Sequence, residues 1–240
     1  MNPVFVKRQK EHTCEQCQTA FGQFFAHLES EDMKFLNDQK EILNLKKNEV
    51  LFREGLRAQG VFCVREGAIK VYREGHDGRE LITRFAFPGE FVGLKAIISG
   101  APYMASACAM DTTSLCFIPK TDFYQIMVKY PEFTRILAIS LTKMLGEAEE
   151  RMISLAQKPV RERLAETLLF LDKSFHPRNG HPMKNYLNLS RYDIANIIGT
   201  APETVIRLLS EFKDLHYIAI RGRKIFLLNP WELQRIANNY

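Results

Sequence analysis

The sequence predicts an α+β chain built in three successive parts. Three observations carry that reading. Short apolar runs separated by glycine fill residues 40–119, one apolar stripe at helical spacing follows them, and the C-terminal third joins two short helix signatures to a basic hairpin. The chain has 240 residues, enough for one large or two small domains. At 46% apolar and 25% charged it has an ordinary globular composition.

The first part is read from runs such as Val50-Leu51-Phe52-Arg53, Val61-Phe62-Cys63-Val64, Ala68-Ile69-Lys70-Val71-Tyr72, Leu81-Ile82-Thr83-Arg84-Phe85 and Ser114-Leu115-Cys116-Phe117-Ile118. Gly55, Gly67, Gly78, Gly89 and Gly100 punctuate them. Short strands at this spacing predict a sandwich, jelly roll or barrel. Gly75-His76-Asp77-Gly78 is expected at a hairpin tip.

After Pro119 the pattern turns helical. From about Glu132 to Gln157 apolar residues recur at Leu137, Leu141, Met144, Ala148, Met152 and Leu155. Steps of three and four keep one stripe over roughly five turns, close to a coiled-coil seam. Packing against the chain's own core would also bury a stripe. The charged flanks Lys143, Glu147, Glu149, Glu150 and Arg151 favour a second copy of the chain, as does the lack of a neighbouring helix in sequence to cover the seam. The expected partner is therefore a parallel homodimer mate. Pro159 cannot continue the helix without a kink, so Lys158-Pro159 is expected to be a hinge.

The third part carries the most informative stretch, Asn188 to Leu209. Ser190 is a good N-cap, with Asp193 three residues on as an acidic variant of the capping box. Ile194, Ala195 and Ile198 make one apolar face, and Gly199 supplies a helix end. Pro202 suits the first turn of a second helix. Val205, Leu208 and Leu209 are expected to point inward, leaving Glu203, Thr204 and Arg207 outside near the helix N-terminus. A recognition helix presents side chains to the major groove there. Arg207 can donate a bidentate pair to guanine O6 and N7, and Glu203 can accept from a cytosine amino group. The plain alternative is a surface helical hairpin in which Glu203 and Arg207 form an i,i+4 pair.

Charge placement favours the DNA reading. The net charge is +5, and from Lys158 onward 13 Lys and Arg face 8 Asp and Glu, so the whole excess lies in the third part. Neutralising phosphates needs such a local surplus. The cluster Arg221-Gly222-Arg223-Lys224 precedes the apolar run Ile225-Phe226-Leu227-Leu228 at an expected hairpin turn. A winged helix–turn–helix would set that turn beside the DNA backbone. No apolar run approaches the roughly 18 residues that a membrane helix needs. Met1-Asn2-Pro3-Val4-Phe5-Val6-Lys7-Arg8 has no apolar stretch after its charges. A cytoplasmic protein with no membrane partner is expected. Five cysteines, an odd number, argue against a disulfide framework.

Together these parts resemble the Crp/Fnr family of bacterial transcription regulators, from about Leu28 to Tyr240. The carrying motifs are Leu51-Phe52-Arg53-Glu54-Gly55, Val64-Arg65-Glu66-Gly67-Ala68-Ile69-Lys70-Val71, Pro88-Gly89-Glu90-Phe91-Val92-Gly93 and Pro202-Glu203-Thr204-Val205-Ile206-Arg207. The resemblance implies an N-terminal cyclic-nucleotide-binding-like β-roll (a jelly roll), a dimerisation helix and a C-terminal winged helix–turn–helix. The corresponding ranges are 1–130, 131–158 and 159–240. It implies a non-enzymatic regulator that binds a palindromic double-stranded DNA site as a homodimer and works with RNA polymerase. Glu203, Thr204 and Arg207 would contact bases, the first and last reading the G·C pair of a TGA-type half-site. Ser190, Arg191 and Arg223 would hold phosphates, as would Thr204. Tyr192 and Pro202 stand where other members carry further contacting residues, which leaves the outer bases unassigned.

The effector is not named by the resemblance. Members that bind cyclic AMP hold its phosphate with an Arg in an R-S/T-A segment of the roll, where a fixed charge suits a partly buried anion. The matching stretch, Pro102-Tyr103-Met104-Ala105-Ser106-Ala107-Cys108-Ala109, has no Arg or Lys. Cyclic AMP is therefore not the expected effector. Gly89, Glu90, Met104 and Ser106 are the candidate pocket residues for a neutral or apolar ligand. The cysteines offer a rival sensor. Cys14 and Cys17 form a C-x-x-C, and Cys116 resembles the roll cysteine of the oxygen-sensing Fnr branch, which holds an iron–sulfur cluster. The third N-terminal cysteine of that branch is missing near Gln23. Four thiolates are the usual set, so Cys63 or Cys108 would have to substitute. Both read more simply as small buried residues. Zinc or a plain thiol pair fits C-x-x-C equally. Haem finds no outstanding ligand among His12, His27, His76, His176, His181 and His216.

Two other function classes are weaker. A cupin-like enzyme needs paired histidines and a carboxylate for its metal, and no H-x-H exists here. A structural nucleic-acid binder would have little sequence preference, whereas Glu203 with Arg207 predicts specificity.

Overall fold

The computed structural model describes residues 31, 34, 37, 38, 40–76, 78–175 and 186–238. Cys14, Cys17, Asp77, His12, His27, His176 and His181 lie outside the described residues. The chain forms two compact units. One takes in the described residues up to Arg73 together with Thr83–Lys143; the other takes in Glu74–Ile82 and the residues from Met144 onward.

The first unit is a roll of short antiparallel strands. In chain order these are β1 (Glu41–Leu45), β2 (Val50–Phe52), β3 (Gly60–Glu66), β4 (Ile69–Glu74), β5 (Glu80–Ala86), β6 (Phe91–Val92), β7 (Ser106–Ala109) and β8 (Thr113–Pro119). A helical turn, α1 (Leu94–Ser99), interrupts them, and α2 (Lys120–Lys129) and α3 (Pro131–Gln157) follow. The strands form two sheets, ordered β1-β8-β3-β6 and β2-β7-β4-β5. Leu43, Phe62, Val64, Leu115 and Phe117 of the first sheet share one buried cluster with Leu51, Ile69, Ala107 and Ala109 of the second. The core therefore lies between two facing sheets, as in a sandwich or jelly roll.

Strand alternation explains what lies beyond. Phe62 and Val64 of β3 enter that core, while Val61 and Cys63 point the other way. There they meet Phe91, Ile118, Phe123 and Ile126, with Phe133 and Leu137 from the start of α3. The Phe91–Phe123 and Phe123–Phe133 rings pack edge to face, with centroids 5.8 and 5.7 Å apart. Strand β3 is thus buried on both faces.

This packing corrects the expected seam of α3. Leu137 is only 1% exposed and belongs to the roll's own cluster, with Leu141 packed partly against it. The helix α2 lies just before α3 in sequence and helps cover this end, contrary to the expectation that no neighbouring helix would do so. The apolar stripe left open begins farther along. Leu145 is 59% and Met152 62% exposed, with Ile153 and Leu155 also exposed. Leu145 and Ile153 were not among the expected seam positions.

The second unit contains the end of α3, then α4 (Val160–Phe175), β9 (Leu187–Asn188), α5 (Arg191–Ile198), α6 (Pro202–Asp214), β10 (Ile218–Arg221), β11 (Lys224–Leu227) and α7 (Pro230–Ala237). Helix α3 stops at Gln157 and α4 starts at Val160, so the break falls at Lys158-Pro159. Side chains brace it. Lys158 Nζ lies 3.1 Å from Glu166 Oε1 and donates to the Ala237 carbonyl at 3.1 Å. Ser154 Oγ donates to Glu166 Oε2 at 2.6 Å, and Arg163 Nη1 to the Leu155 carbonyl at 2.7 Å. Buried Leu164, Leu168 and Leu171 of α4 face a core completed by α5, α6 and α7. The Glu74–Ile82 segment is a hairpin in which the Gly75 amide donates to the Arg79 carbonyl at 2.8 Å.

Candidate nucleic-acid interface

The interface is assembled from two helices and a hairpin. Helix α5 starts on a complete capping box. The Asp193 amide donates to Ser190 Oγ at 2.9 Å, and the Ser190 amide donates to Asp193 Oδ2 at 3.3 Å. The Ser190 hydroxyl also donates to that carboxylate oxygen at 2.6 Å. Its single proton is therefore engaged in the cap, and a phosphate contact at Ser190 would need that proton to turn away from Asp193. The helix ends on Gly199 with φ 63° and ψ 53°, a left-handed backbone that favours glycine. A side chain there would also press within 3.2 Å of Leu155 Cδ2.

Helix α6 follows at once, with Pro202 in its first turn and no side-chain cap on Ala201. Val205, Leu208, Leu209 and Phe212 are buried on its inner face. Glu203, Ile206 and Arg207 are exposed, and Thr204 is half-buried. The i,i+4 alternative is not realised: among the described residues the side chains of Glu203 and Arg207 make no ion pair or hydrogen bond. Both side chains remain available to an incoming group, and Glu203 lies within the first turn, at the positive end of the helix dipole. The helix is fixed from behind by Arg161, whose Nε sits 2.7 Å from Glu211 Oε1 while its guanidinium stacks over Phe212 at 5.4 Å.

The wing is a three-stranded antiparallel sheet, ordered β10-β11-β9, with Arg221 opposite Lys224. Its tip is the two-residue loop Gly222-Arg223. Gly222 has φ 61°, while Arg223 is not among the residues with positive φ, the pattern of a type II′ hairpin turn. Arg221, Arg223 and Lys224 are all exposed. Arg221 lies over Phe226 at 5.6 Å and Lys224 over Tyr186 at 4.4 Å, which stiffens two of the three cations. Half-buried Arg191 donates from Nη2 to the Gly222 carbonyl at 3.4 Å, and burial lowers its guanidinium pKa from the ordinary value. The structure thus brings Ser190, Arg191, Glu203, Thr204, Arg207 and Arg223 into one compact unit.

The candidate effector residues fare differently. Met104 is exposed. Glu90 Oε2 accepts from the Phe87 amide at 3.3 Å, a bond within its own turn. Buried Ser106 Oγ accepts from the Glu54 amide at 3.0 Å, and the Gly89 amide donates to the Val64 carbonyl at 2.8 Å. Three of the four thus have a structural role in the roll. The sequence reading missed Lys70, which is buried on β4 with its ammonium over Tyr72 at 5.1 Å. Register sets Lys70 opposite Cys108 and Tyr72 opposite Ser106, so the sheet face carrying Ser106 is not wholly apolar. A lysine inside an alternating apolar run was the available signal. Among the described residues, no group of three or more His, Cys, Asp or Glu side chains converges as a metal site, and no helix is long and apolar enough to cross a membrane.

Comparison with known proteins agrees with this architecture. Residues 42–130 match the cyclic nucleotide-binding domain family, and residues 162–236 match the Crp-like helix-turn-helix domain family. The chain is 32% identical over 236 residues to the transcriptional activator protein Anr of Pseudomonas protegens, covering 98% of this chain and 96% of that protein. It is 29% identical over 195 residues to the fumarate and nitrate reduction regulatory protein of Escherichia coli K12, covering 81% and 78%. Among solved structures, FixK2 from Bradyrhizobium japonicum is similar with a TM-score of 0.71 at 28% identity, covering 82% of this chain and 96% of that one. A β-roll, a long helix and a winged reading head are thus combined in one chain that belongs to the Crp/Fnr family of DNA-binding bacterial transcription regulators.

Proposed function

We propose that this regulator binds a palindromic DNA site as a homodimer, with one α6 helix in each of two successive major grooves. Glu203, Thr204 and Arg207 read base edges. Arg191 and Arg223 hold phosphates on either side, and Ser190 fixes the entry of α5 and contributes a backbone contact when its hydroxyl turns. The observation that carries this reading is the exposure of Glu203 and Arg207, without an ion pair between them, on a helix whose opposite face is buried. The exposed stripe around Leu145 and Met152 supports the dimer. A twofold pair sets its readers roughly 34 Å apart, one turn of duplex.

The roll is the sensing part, and its signal is a small-molecule effector or a redox change. Cyclic AMP is disfavoured by the absence of a cation in 102–109 and by the structural bonds of Glu90 and Ser106. An iron–sulfur cluster would draw on Cys14, Cys17 and Cys116, with a fourth ligand needed. RNA polymerase is the proposed downstream partner, the cytoplasm the proposed compartment, and no residue is assigned a catalytic role. A binding-site selection with the reduced full-length protein, paired with sedimentation analysis, tests the core of this reading. A twofold-symmetric consensus bound by two chains is the expected result. Enrichment of no sequence, or a single chain per site, would overturn it.

A further inference from the structure

We infer that Cys63 and Cys116 form a reversible dithiol–disulfide pair on the face of the roll that supports the base of α3. The two residues sit directly opposite each other on neighbouring antiparallel strands, β3 and β8. Directly opposed residues project to the same face of a sheet. Both thiols accordingly pack in the cluster that holds Phe91, Phe133 and Leu137.

The ladder also fixes the spacing. The Lys120 amide donates to the Gln59 carbonyl at 2.9 Å, at the end of the same register. Hydrogen-bonded and non-hydrogen-bonded pairs alternate along an antiparallel ladder. Four regular steps farther on, Cys63 and Cys116 are again a hydrogen-bonded pair, with Cα atoms about 5.5 Å apart. That lies within the Cα range of disulfides, roughly 4.4–6.8 Å, but the side chains of this pair type start farther apart than the Cβ spacing of about 3.8 Å that a disulfide holds, so closure has to bring them together. Cys108 provides a contrast within the same roll. It is as buried as Cys63, but its register partners are Val50 and Lys70.

Cys116 is half-buried and Cys63 fully buried, so an oxidant meets Cys116 first. Oxidised glutathione is a suitable co-reactant. The Cys116 thiolate attacks one of its sulfurs, forming a mixed disulfide and releasing one glutathione thiolate. The Cys63 thiolate then attacks the Cys116 sulfur and releases the second. Two cysteine protons and two electrons leave the protein, and one disulfide of glutathione becomes two thiols. The new S–S bond of about 2.05 Å draws the two side chains together within the cluster that also holds Phe133 and Leu137. Close-packed surroundings transmit such a change, so the bond biases the start of the long helix. This coupling to DNA rests on the proposed function; formation of the bond does not.

The test uses full-length protein carrying Cys14→Ser, Cys17→Ser and Cys108→Ser, and in parallel the unsubstituted chain in case the triple variant folds poorly. Each is equilibrated with oxidised and reduced glutathione in defined ratios, alkylated, and mapped by mass spectrometry without reduction. The expected result is a linked Cys63–Cys116 peptide that grows as the buffer becomes more oxidising and vanishes with dithiothreitol, together with a change of at least fivefold in operator affinity. Both cysteines still alkylated under excess oxidised glutathione, or Cys116 halted as its glutathione adduct, would overturn the pair. A linked peptide with unchanged affinity would overturn the coupling. A linked peptide in the unsubstituted chain, with no DNA binding by that chain in either state, would instead overturn the DNA reading and leave the pair standing.

Discussion

Arg191 Nη2 donates to the Gly222 carbonyl oxygen at 3.4 Å. This bond ties the first turn of α5 to the tip of the wing, two elements 31 residues apart in sequence. It makes the helix–turn–helix and the hairpin one surface. Arg191 keeps further N–H groups of its guanidinium for an outside acceptor. A phosphate would thus meet Arg191 and Arg223 as a preassembled pair.

Replacing Arg207 with alanine is expected to weaken binding to the selected site by about 1–3 kcal/mol, and to relax preference at a single base pair per half-site. Binding-site selection with the variant checks this. A consensus unchanged at every position would remove Arg207 from the reading head.

Arg223→Ala should behave differently, because a phosphate contact carries no sequence information. All sequences should weaken alike, and the slope of log affinity against log salt should fall by about 1 for each phosphate lost. Fluorescence anisotropy across a salt series on specific and scrambled duplexes separates the two cases.

The open face of α3 predicts the oligomeric state. Leu145→Glu or Met152→Glu places a carboxylate on an exposed apolar stripe. Each lost side chain is worth about 1.5–3 kcal/mol when fully buried and a homodimer loses two of them, so dimerisation should weaken by roughly 100- to 10,000-fold. Sedimentation velocity should show monomers and anisotropy a parallel loss of operator affinity. A dimer that survives both variants would move the interface elsewhere.

Tyr103 sets a limit at high pH. Its ring stacks on Phe52 at 3.7 Å, and burial pushes its phenol pKa from 10.0 up to about 12. The folded state therefore holds a proton that the unfolded chain releases near pH 10. Stability from this group is complete below pH 10 and declines as pH rises toward about 12. Urea melts at pH 8 and pH 11 should show the unsubstituted protein losing stability more steeply than Tyr103→Phe. Equal losses in the two proteins would count against it.

The reading head was legible because its signals are local chemistry. Ser190, Gly199 and Pro202 each act within one turn of a helix, and the positions of Glu203 and Arg207 follow from helical spacing alone. The roll was legible as a set of strands but less so in detail. Strand β7, Ser106–Ala109, has no β-branched or aromatic residue; its state comes from the partners β2 and β4 on either side. The short helix α1 is bracketed by Gly93 and Gly100, both left-handed, inside a region that otherwise reads as strands. The stripe on α3 was visible by period, but periodicity reports that a face is covered and not what covers it. Only the packing of Phe123 and Phe133 reveals that Leu137 belongs to the roll. The capping proton of Ser190 is equally a matter of geometry, not of residue type.

The ammonium of Lys158 has a mechanical implication. It caps the last carbonyl of α7, where the helix dipole favours a cation, and it grips Glu166 of α4. Proline alone would leave a swivel between α3 and the segment after it. With three helices clamped through one side chain, the joint resembles a torsion bar more than a slack cord. Were the end of α3 to turn, as in the proposed pairing with a second copy, the turn would be passed to α4 and α7 rather than absorbed at the joint.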